Sequence, residues 1–345
     1  MEHESQINAA LARFGLARHG GAERIGAGTL NQNFIVGTQR GKRVLRCIRA
    51  DQPNSAIADE HAAIAWAATH GIPVALPEPS TDPPDALSDE GLPNTCVALA
   101  DRSRWAVFPF VEGRLARRGA HTAPEVAALG DMQGRLHSVL AMHPQSPRAT
   151  FKMLWSREHS LAALAEAERA AHSVNAADEL IDAIGLQRKL LIAEPVQQPS
   201  AFAHLPCQML HGDFHDEQVL FDAKDRIIAV LDWENFQGGA RIWELVRSLA
   251  FSGLLDHPLL DTYLRGYAQH VQLSAEECAS GIALWWQSRL IGTWVWTAYF
   301  VGGNQRLSPL FASTIETLNK LARSGWREAT TQRFCNVAAA ANARR

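Results

Sequence analysis

Two aspartates set apart by a short apolar stretch are the residues of this chain best suited to chemistry. Asp213 follows His211-Gly212 and precedes Phe214-His215-Asp216-Glu217-Gln218-Val219-Leu220; Asp232 closes the apolar run Ile227-Ile228-Ala229-Val230-Leu231 and is followed by Trp233-Glu234. The stretch between them reads as a β-hairpin: a short strand over 218–221, an Asp222-Ala223-Lys224-Asp225 turn and a second apolar strand. Carboxylates at the two ends of such a hairpin suit phosphoryl transfer. One can hold an attacking hydroxyl while the other holds Mg²⁺ against the phosphates of a nucleotide. That chemistry is mostly positioning and charge neutralisation, so an Asp at the base position, an oxygen ligand a few residues on and a metal-binding Asp after the next strand suffice. His-Gly-Asp alone is common in turns, where Asp213 would cap a loop and Asp232 end a strand; the joint pattern is what points to catalysis.

The segment resembles the loop H-G-D-x-x-x-x-N of the aminoglycoside phosphotransferase family, which includes choline kinases and type II homoserine kinases and has a protein-kinase-like fold. The resemblance makes Asp213 the catalytic carboxylate, residue 218 the metal ligand from the loop and Asp232 the counterpart of the Asp in the kinase D-F-G motif. The chain departs from the pattern at one position, where Gln218 replaces the Asn. Gln keeps the amide oxygen that Mg²⁺ accepts but adds a methylene and a rotor, and Mg²⁺ demands near-octahedral geometry.

The N-terminal third supplies the rest of a nucleotide site. Arg24-Ile25-Gly26-Ala27-Gly28-Thr29-Leu30, then Phe34-Ile35-Val36, a turn at Gln39-Arg40-Gly41-Lys42 and Val44-Leu45-Arg46-Cys47-Ile48 read as three strands joined by a small-residue loop and a tight turn. Gly26 and Gly28 allow backbone N–H groups, with Thr29, to approach phosphates, although Gly-x-Gly alone also suits a structural turn. Protein kinases carry Ala-x-Lys on the third strand with both side chains on the nucleotide face. Val44 and Arg46 have that spacing, and the Val-Leu-Arg sequence resembles the homoserine-kinase-like branch. Arg46 would contact phosphates as a planar fork and pair with a carboxylate on the next helix, expected over 54–70 with Asn54 as its cap and Gly71 at its end. Of Asp59 and Glu60, Glu60 better matches the family signature. Trp105-Ala106-Val107-Phe108 followed by Pro109-Phe110-Val111-Glu112-Gly113 looks like the family's interlobe hinge, which brings Phe108, Phe110 and Val111 to the base of ATP or GTP.

These residues need a scaffold, and 345 residues with 47% hydrophobic and 20% charged content provide a core large enough for two lobes. The expected fold is α+β and bilobal: residues 1–110 as an N-terminal sheet lobe with one helix, and 111–345 as a larger, mostly helical lobe for catalysis and substrate. A helix is expected over 5–14, a loop over 77–95, a Thr122-capped helix ending near His143, helices near 157–172 and 176–194, a helix opening at Arg241 with Glu244 where the family has Asp, a capping box at Ser274 and Glu277 opening a helix over 274–300, and a last helix from Pro309 to Gly325.

A net charge of −3 argues against a nucleic-acid partner, and five scattered cysteines indicate neither a disulfide framework nor a zinc site. The N-terminus lacks signal-peptide features, which points to the cytoplasm. Residues 282–303 are the most apolar, but Gln287 and Arg289 interrupt them, so a buried helix is expected rather than a membrane span. Neither His-Glu-x-x-His nor Gly-x-Ser-x-Gly occurs. The expected activity is an ATP- or GTP-dependent, Mg²⁺-dependent O-phosphotransferase. Asp216, Glu217 and Glu234, with His215 near the mouth, suggest an amine-bearing alcohol such as an aminoglycoside, amino alcohol, homoserine or amino sugar. The alternatives are a nucleotide-binding pseudokinase, since Arg46 and Gln218 both fall on phosphate and metal contacts, and a protein Ser/Thr kinase of the same family.

Overall fold

The computed structural model describes residues 3–26, 31–81, 91–145 and 155–343. The chain forms two compact units. The first comprises Met1–His143 with His211–Phe236, and the second Pro144–Leu210 with Gln237–Arg345. This division follows packing, whereas the two-lobe expectation rests on the change from strand to helix near residue 110.

The first unit is built on a five-stranded antiparallel sheet of order β1-β2-β3-β5-β4: β1 Arg18–Ile25, β2 Gln32–Thr38, β3 Gly41–Ile48, β4 Val97–Ala98 and β5 Arg104–Pro109. Strand alternation sorts its side chains. Phe34, Val36, Leu45, Trp105 and Val107 turn to one face and form a core with Ile7, Leu11 and Phe14, the first two from helix α1 (Glu4–Arg13). Arg46 stands between the Leu45 and Cys47 positions and faces the other way, paired across the sheet with Asn33 and Ala106. Helix α2 (Asn54–Thr69) buries Ile57, Glu60, His61 and Ile64. Its cap is Pro53, without a side-chain bond; the expected cap, Asn54, is instead its first residue, and its side chain accepts from Arg104 Nη1 at 2.9 Å. Gly71 follows with φ +78°, the left-handed conformation that ends helices.

Helix α3 (Ala123–Leu140) opens on the complete Thr122/Glu125 capping box. The segment His211–Phe236 returns to this unit and contains the hairpin β7 (Val219–Phe221) and β8 (Ile227–Val230). Arg114 N donates to Phe221 O at 2.9 Å, and a Cβ on Gly113 would meet Leu220 Cβ at 2.9 Å, so the chain after β5 lies flush on the hairpin.

The second unit contains α4 (Arg157–Ser173), α5 (Asp178–Ala193), α6 (Arg241–Phe251), α7 (Leu260–Ala268), α8 (Ala275–Ile291), α9 (Trp294–Trp296), α10 (Phe311–Leu321) and α11 (Trp326–Ala343), with a two-stranded ribbon of β6 (Cys207–Leu210) and β9 (Gln237–Ala240). The single helix expected over 274–300 is broken. Helix α8 stops at Ile291, where Gly292 is extended and Gln187 of α5 donates to the carbonyls of Leu290 at 2.8 Å and Gly292 at 3.1 Å. Helix α11 follows the expected stop at Gly325 and was not foreseen. Helices α6 and α8 approach closely, because a Cβ on Gly281 would lie 2.5 Å from Ile242 Cγ1. Among the described residues no helix is long and apolar enough to cross a membrane.

Candidate active site

The loop after β6 is held by its own histidine. His211 is fully buried; its Nε2 donates to Leu231 O at 2.8 Å and its Nδ1 accepts from Asp213 N at 3.3 Å, so one ring ties the start of the loop to the end of β8. Gly212 between them has φ +86°, a conformation that costs other residues energy and glycine little. Trp233 packs edge-on against the His211 ring, 4.7 Å between centroids. Asp213 is thereby fixed with Asn235 Nδ2 donating to its Oδ2 at 3.5 Å and His215 Nε2 3.7 Å from its Oδ1.

Asp232 follows β8 with φ +58° and ψ +65°, a left-handed backbone rare for a side-chain-bearing residue and found where strain serves a site. The Gln218 amide nitrogen donates to Asp232 Oδ2 at 3.4 Å, while Gln218 O accepts from Leu231 N at 2.8 Å. The Asp232 side chain is 33% exposed. This pair suits a hard divalent cation: both residues offer oxygen, one carboxylate is accessible, and Mg²⁺ is commonly held by one or two carboxylates with phosphates and waters completing its shell. The Gln218 amide must turn to present its oxygen.

Arg46 connects this point to α2. Its Nη1 donates to Glu60 Oε1 at 2.8 Å, its Nε to Asn33 Oδ1 at 3.3 Å, its Nη2 lies 3.8 Å from Asp232 Oδ1, and its guanidinium sits 5.0 Å over the Phe108 ring. Burial works against the Arg46 charge, yet Glu60, Asp232 and Glu234 outweigh it and raise its pKa. Burial raises the Glu60 carboxyl; Arg46 pulls the other way and Asp232 adds to the rise. Glu234 accepts a hydrogen bond from Asn31, and burial followed by the Asp232 charge pushes it up to about 7. Asn31 Oδ1 in turn accepts from Arg49 N at 2.9 Å, so Asn31 tethers the start of β2 to the end of β3 and Glu234 holds Asn31.

The remaining candidates divide. Asp216 is fully buried, 3.0 Å from His121 Nε2, 3.2 Å from Arg118 Nη2 and 3.4 Å from His215 Nδ1. Burial opposes its charge, but His121, His215 and Arg118 together hold its carboxyl well below the usual range. Glu217 is exposed and pairs with Arg118 Nη2 at 3.2 Å, and His215, itself buried, accepts from Glu217 N at 3.2 Å. Phe108 is buried, Phe110 lies under Lys42 Nζ at 5.3 Å with its N–H taken by Lys42 O, and Val111 is half-buried. Gly26 ends the described part of its loop with open space where a Cβ would stand; Gly28 and Thr29 lie outside the described residues. Sequence reasoning missed Asn31, Asn33, Arg118, His121 and Asn235. The only signal for Arg118 and His121 was a basic stretch before the Thr122 cap.

The model of the phosphotransferase enzyme family matches residues 21–279, three quarters of the chain and all of the site just described. The chain belongs to the phosphotransferase enzyme family. Like that family it is a phosphotransferase, and its α+β fold is kinase-like. Among solved structures, an amicoumacin kinase in complex with AMP-PNP and Ca²⁺ is similar with a TM-score of 0.60 at 14% identity, covering 92% of each chain. A microcompartment-associated aminopropanol kinase gives 0.58 at 18%, covering 98% of each. A spectinomycin phosphotransferase in complex with ADP and spectinomycin gives 0.57 at 14%, again covering 98% of each. No curated protein matches the chain. At these identities the structural likeness speaks for the fold, and this phosphotransferase's acceptor has to be sought in its own residues.

Proposed function

We propose that this phosphotransferase moves the γ-phosphoryl group of ATP or GTP to a hydroxyl of a small molecule with the help of Mg²⁺. The observation that carries the reading is the meeting of Arg46, Asp232 and Gln218: the guanidinium lies 3.8 Å from one Asp232 oxygen and the Gln218 amide 3.4 Å from the other. A residue suited to holding phosphates and two suited to holding a cation thus share one place. Asp213 orients the acceptor hydroxyl and takes its proton as the new P–O bond forms, with Asn235 fixing the carboxylate. Arg46, held by Glu60, neutralises phosphate charge. Asp232 and Gln218 would hold Mg²⁺, which when bound would supply charge neutralisation for the leaving group. The similar kinases act on amine-bearing acceptors in two cases by name, an aminopropanol and spectinomycin, and Glu217, an exposed acid four residues after Asp213, suits such an amine beside its contact with Arg118. A panel of amino alcohols, aminoglycosides, amino sugars and hydroxy amino acids, each offered with ATP and with GTP, tests the proposal through product phosphate ester. No nucleotide-dependent transfer to any member, with Mg²⁺ present, would reject it.

A second reading has one observation behind it. The Gln218 amide nitrogen, not its oxygen, faces Asp232, which suits a nucleotide-binding pseudokinase whose metal position is filled by a side chain. Mg²⁺-dependent ATP turnover by the wild type excludes that reading.

A further inference from the structure

The His215 ring turns one nitrogen to each of two carboxylates, and the backbone beside it decides which nitrogen carries the proton. The residue is extended, with φ −166° and ψ −179°, and only 6% exposed, so its ring lies inside the loop and not at a substrate mouth. Its Nδ1 accepts from Glu217 N at 3.2 Å. A backbone amide always keeps its hydrogen, so Nδ1 offers its lone pair there and the neutral ring carries its proton on Nε2. Asp216 Oδ1 lies 3.4 Å from the same Nδ1, but the two Asp216 oxygens already accept from Arg118 Nη2 at 3.2 Å and His121 Nε2 at 3.0 Å. Asp216 therefore anchors the turn over Asp216–Gln218 and presents Glu217 N to the ring without needing the ring's proton.

That tautomer aims an N–H at Asp213. Nε2 lies 3.7 Å from Asp213 Oδ1, while Asn235 Nδ2 donates to Oδ2 at 3.5 Å, so a donor stands by each carboxylate oxygen. Hydrogen bonds of catalytic groups shorten when substrate binds, and about half an ångström brings Nε2 into the ordinary range. A carboxylate that must receive a proton from one direction works in one orientation, and a single donor leaves it free to turn about its Cβ–Cγ bond. The geometry points to His215 as a positioning residue for phosphoryl transfer: its Nε2–H holds Asp213 Oδ1 while Asn235 holds Oδ2, which fixes the carboxylate plane toward the acceptor hydroxyl. This rests on the reading of Asp213 as the group that orients that hydroxyl and takes its proton. A purely structural role, capping the turn over Asp216–Gln218, uses Nδ1 instead, so the two roles separate by atom.

Amide side chains copy one imidazole nitrogen at a time: Asn sets its amide near the Nδ1 position and Gln near the Nε2 position. His215→Asn can still accept from Glu217 N but has no donor for Asp213, and it is expected to lose about tenfold to hundredfold in kcat with the KM for nucleotide within about twofold of wild type. His215→Gln restores the donor and is expected to keep kcat within about threefold of wild type. The opposite order, with His215→Asn active and His215→Gln impaired, shows a capping role and overturns the proposal, as do equal values in the two variants. A readout that needs no transfer is the ring ¹⁵N spectrum of the full chain, with the His215 signals assigned by their loss in His215→Gln. Nε2 is expected to be protonated and Nδ1 not, and Asp213→Asn to move the Nε2 signal; a proton on Nδ1, or an Nε2 signal indifferent to Asp213, overturns the positioning role. A wild type that transfers phosphate to no acceptor rejects the phosphotransfer reading, and the positioning role falls with it. An active wild type with the wrong spectrum or the wrong order of variants rejects the positioning role alone.

Discussion

The Gln218 amide nitrogen lies 3.4 Å from Asp232 Oδ2, so the one position where the chain departs from the H-G-D-x-x-x-x-N pattern contacts the aspartate it would have to work with. If the two hold a cation together, shortening Gln218 by one methylene should be tolerated. Gln218→Asn is expected to retain Mg²⁺-dependent turnover within about threefold of wild type or to exceed it. An active wild type with an inactive Asn variant means that the loop holds its metal by another route.

Asp213→Asn is expected to lower kcat by about 10²–10⁴-fold while nucleotide affinity stays within a few-fold, because the carboxylate serves the acceptor hydroxyl and not the nucleotide. Asn keeps the size of the side chain and can still meet Asn235, so the loop should fold. Single-turnover kinetics with calorimetric nucleotide titration separates the two effects, and near-normal turnover removes Asp213 from the mechanism.

Asp232→Asn should weaken Mg²⁺-nucleotide binding by about tenfold or more, near 1.4 kcal/mol, and leave metal-free nucleotide binding nearly unchanged. Asn is chosen because it tolerates the left-handed backbone at this position, where φ is +58°, better than alanine does. Equal weakening with and without Mg²⁺ points to a structural strand-end residue.

His61 on α2 is 6% exposed, with its Nδ1 2.6 Å from Thr95 Oγ1. Burial, then the Arg46 charge, pushes its pKa down from 6.5 to about 3. The folded value lies below the unfolded one, so between these pH values the unfolded chain binds a proton that the folded chain does not. The contribution is fully present above pH 6.5 and is lost as the pH falls towards 3, with a slope of at most about 1.4 kcal/mol per pH unit. His61→Gln should therefore show a shallower fall of melting temperature from pH 7 to pH 5 than the wild type; parallel curves would falsify the assignment of a buried neutral imidazole.

What was legible in the sequence is what is local. The capping boxes at Thr122/Glu125 and Ser274/Glu277 and the hairpin from 218 to 230 appear where residue type and spacing put them, because their hydrogen bonds span only a few residues. The Arg46–Glu60 pair was readable through family resemblance, and β3 and α2 bring it together. Contacts over long separations were not readable: nothing near Asp216 announces His121 or Arg118, which meet it only after α3 and the loop have packed. Helix α11 was missed because its buried positions include Ala338 and Ala341, whose small side chains draw only a faint apolar stripe. The break at Gly292 was missed because its cause, Gln187, sits on another helix.

Gly281 touches no candidate ligand, yet it sets the gap between α6 and α8 through the 2.5 Å its missing Cβ would leave to Ile242. Trp243 and Ser288 ride on those same two helices, one on each, and are joined by a hydrogen bond of 3.1 Å. An added methyl group here must push the helices apart and stretch that hydrogen bond with them. The distance between these two helices is thus set by the one residue that has no side chain to give way.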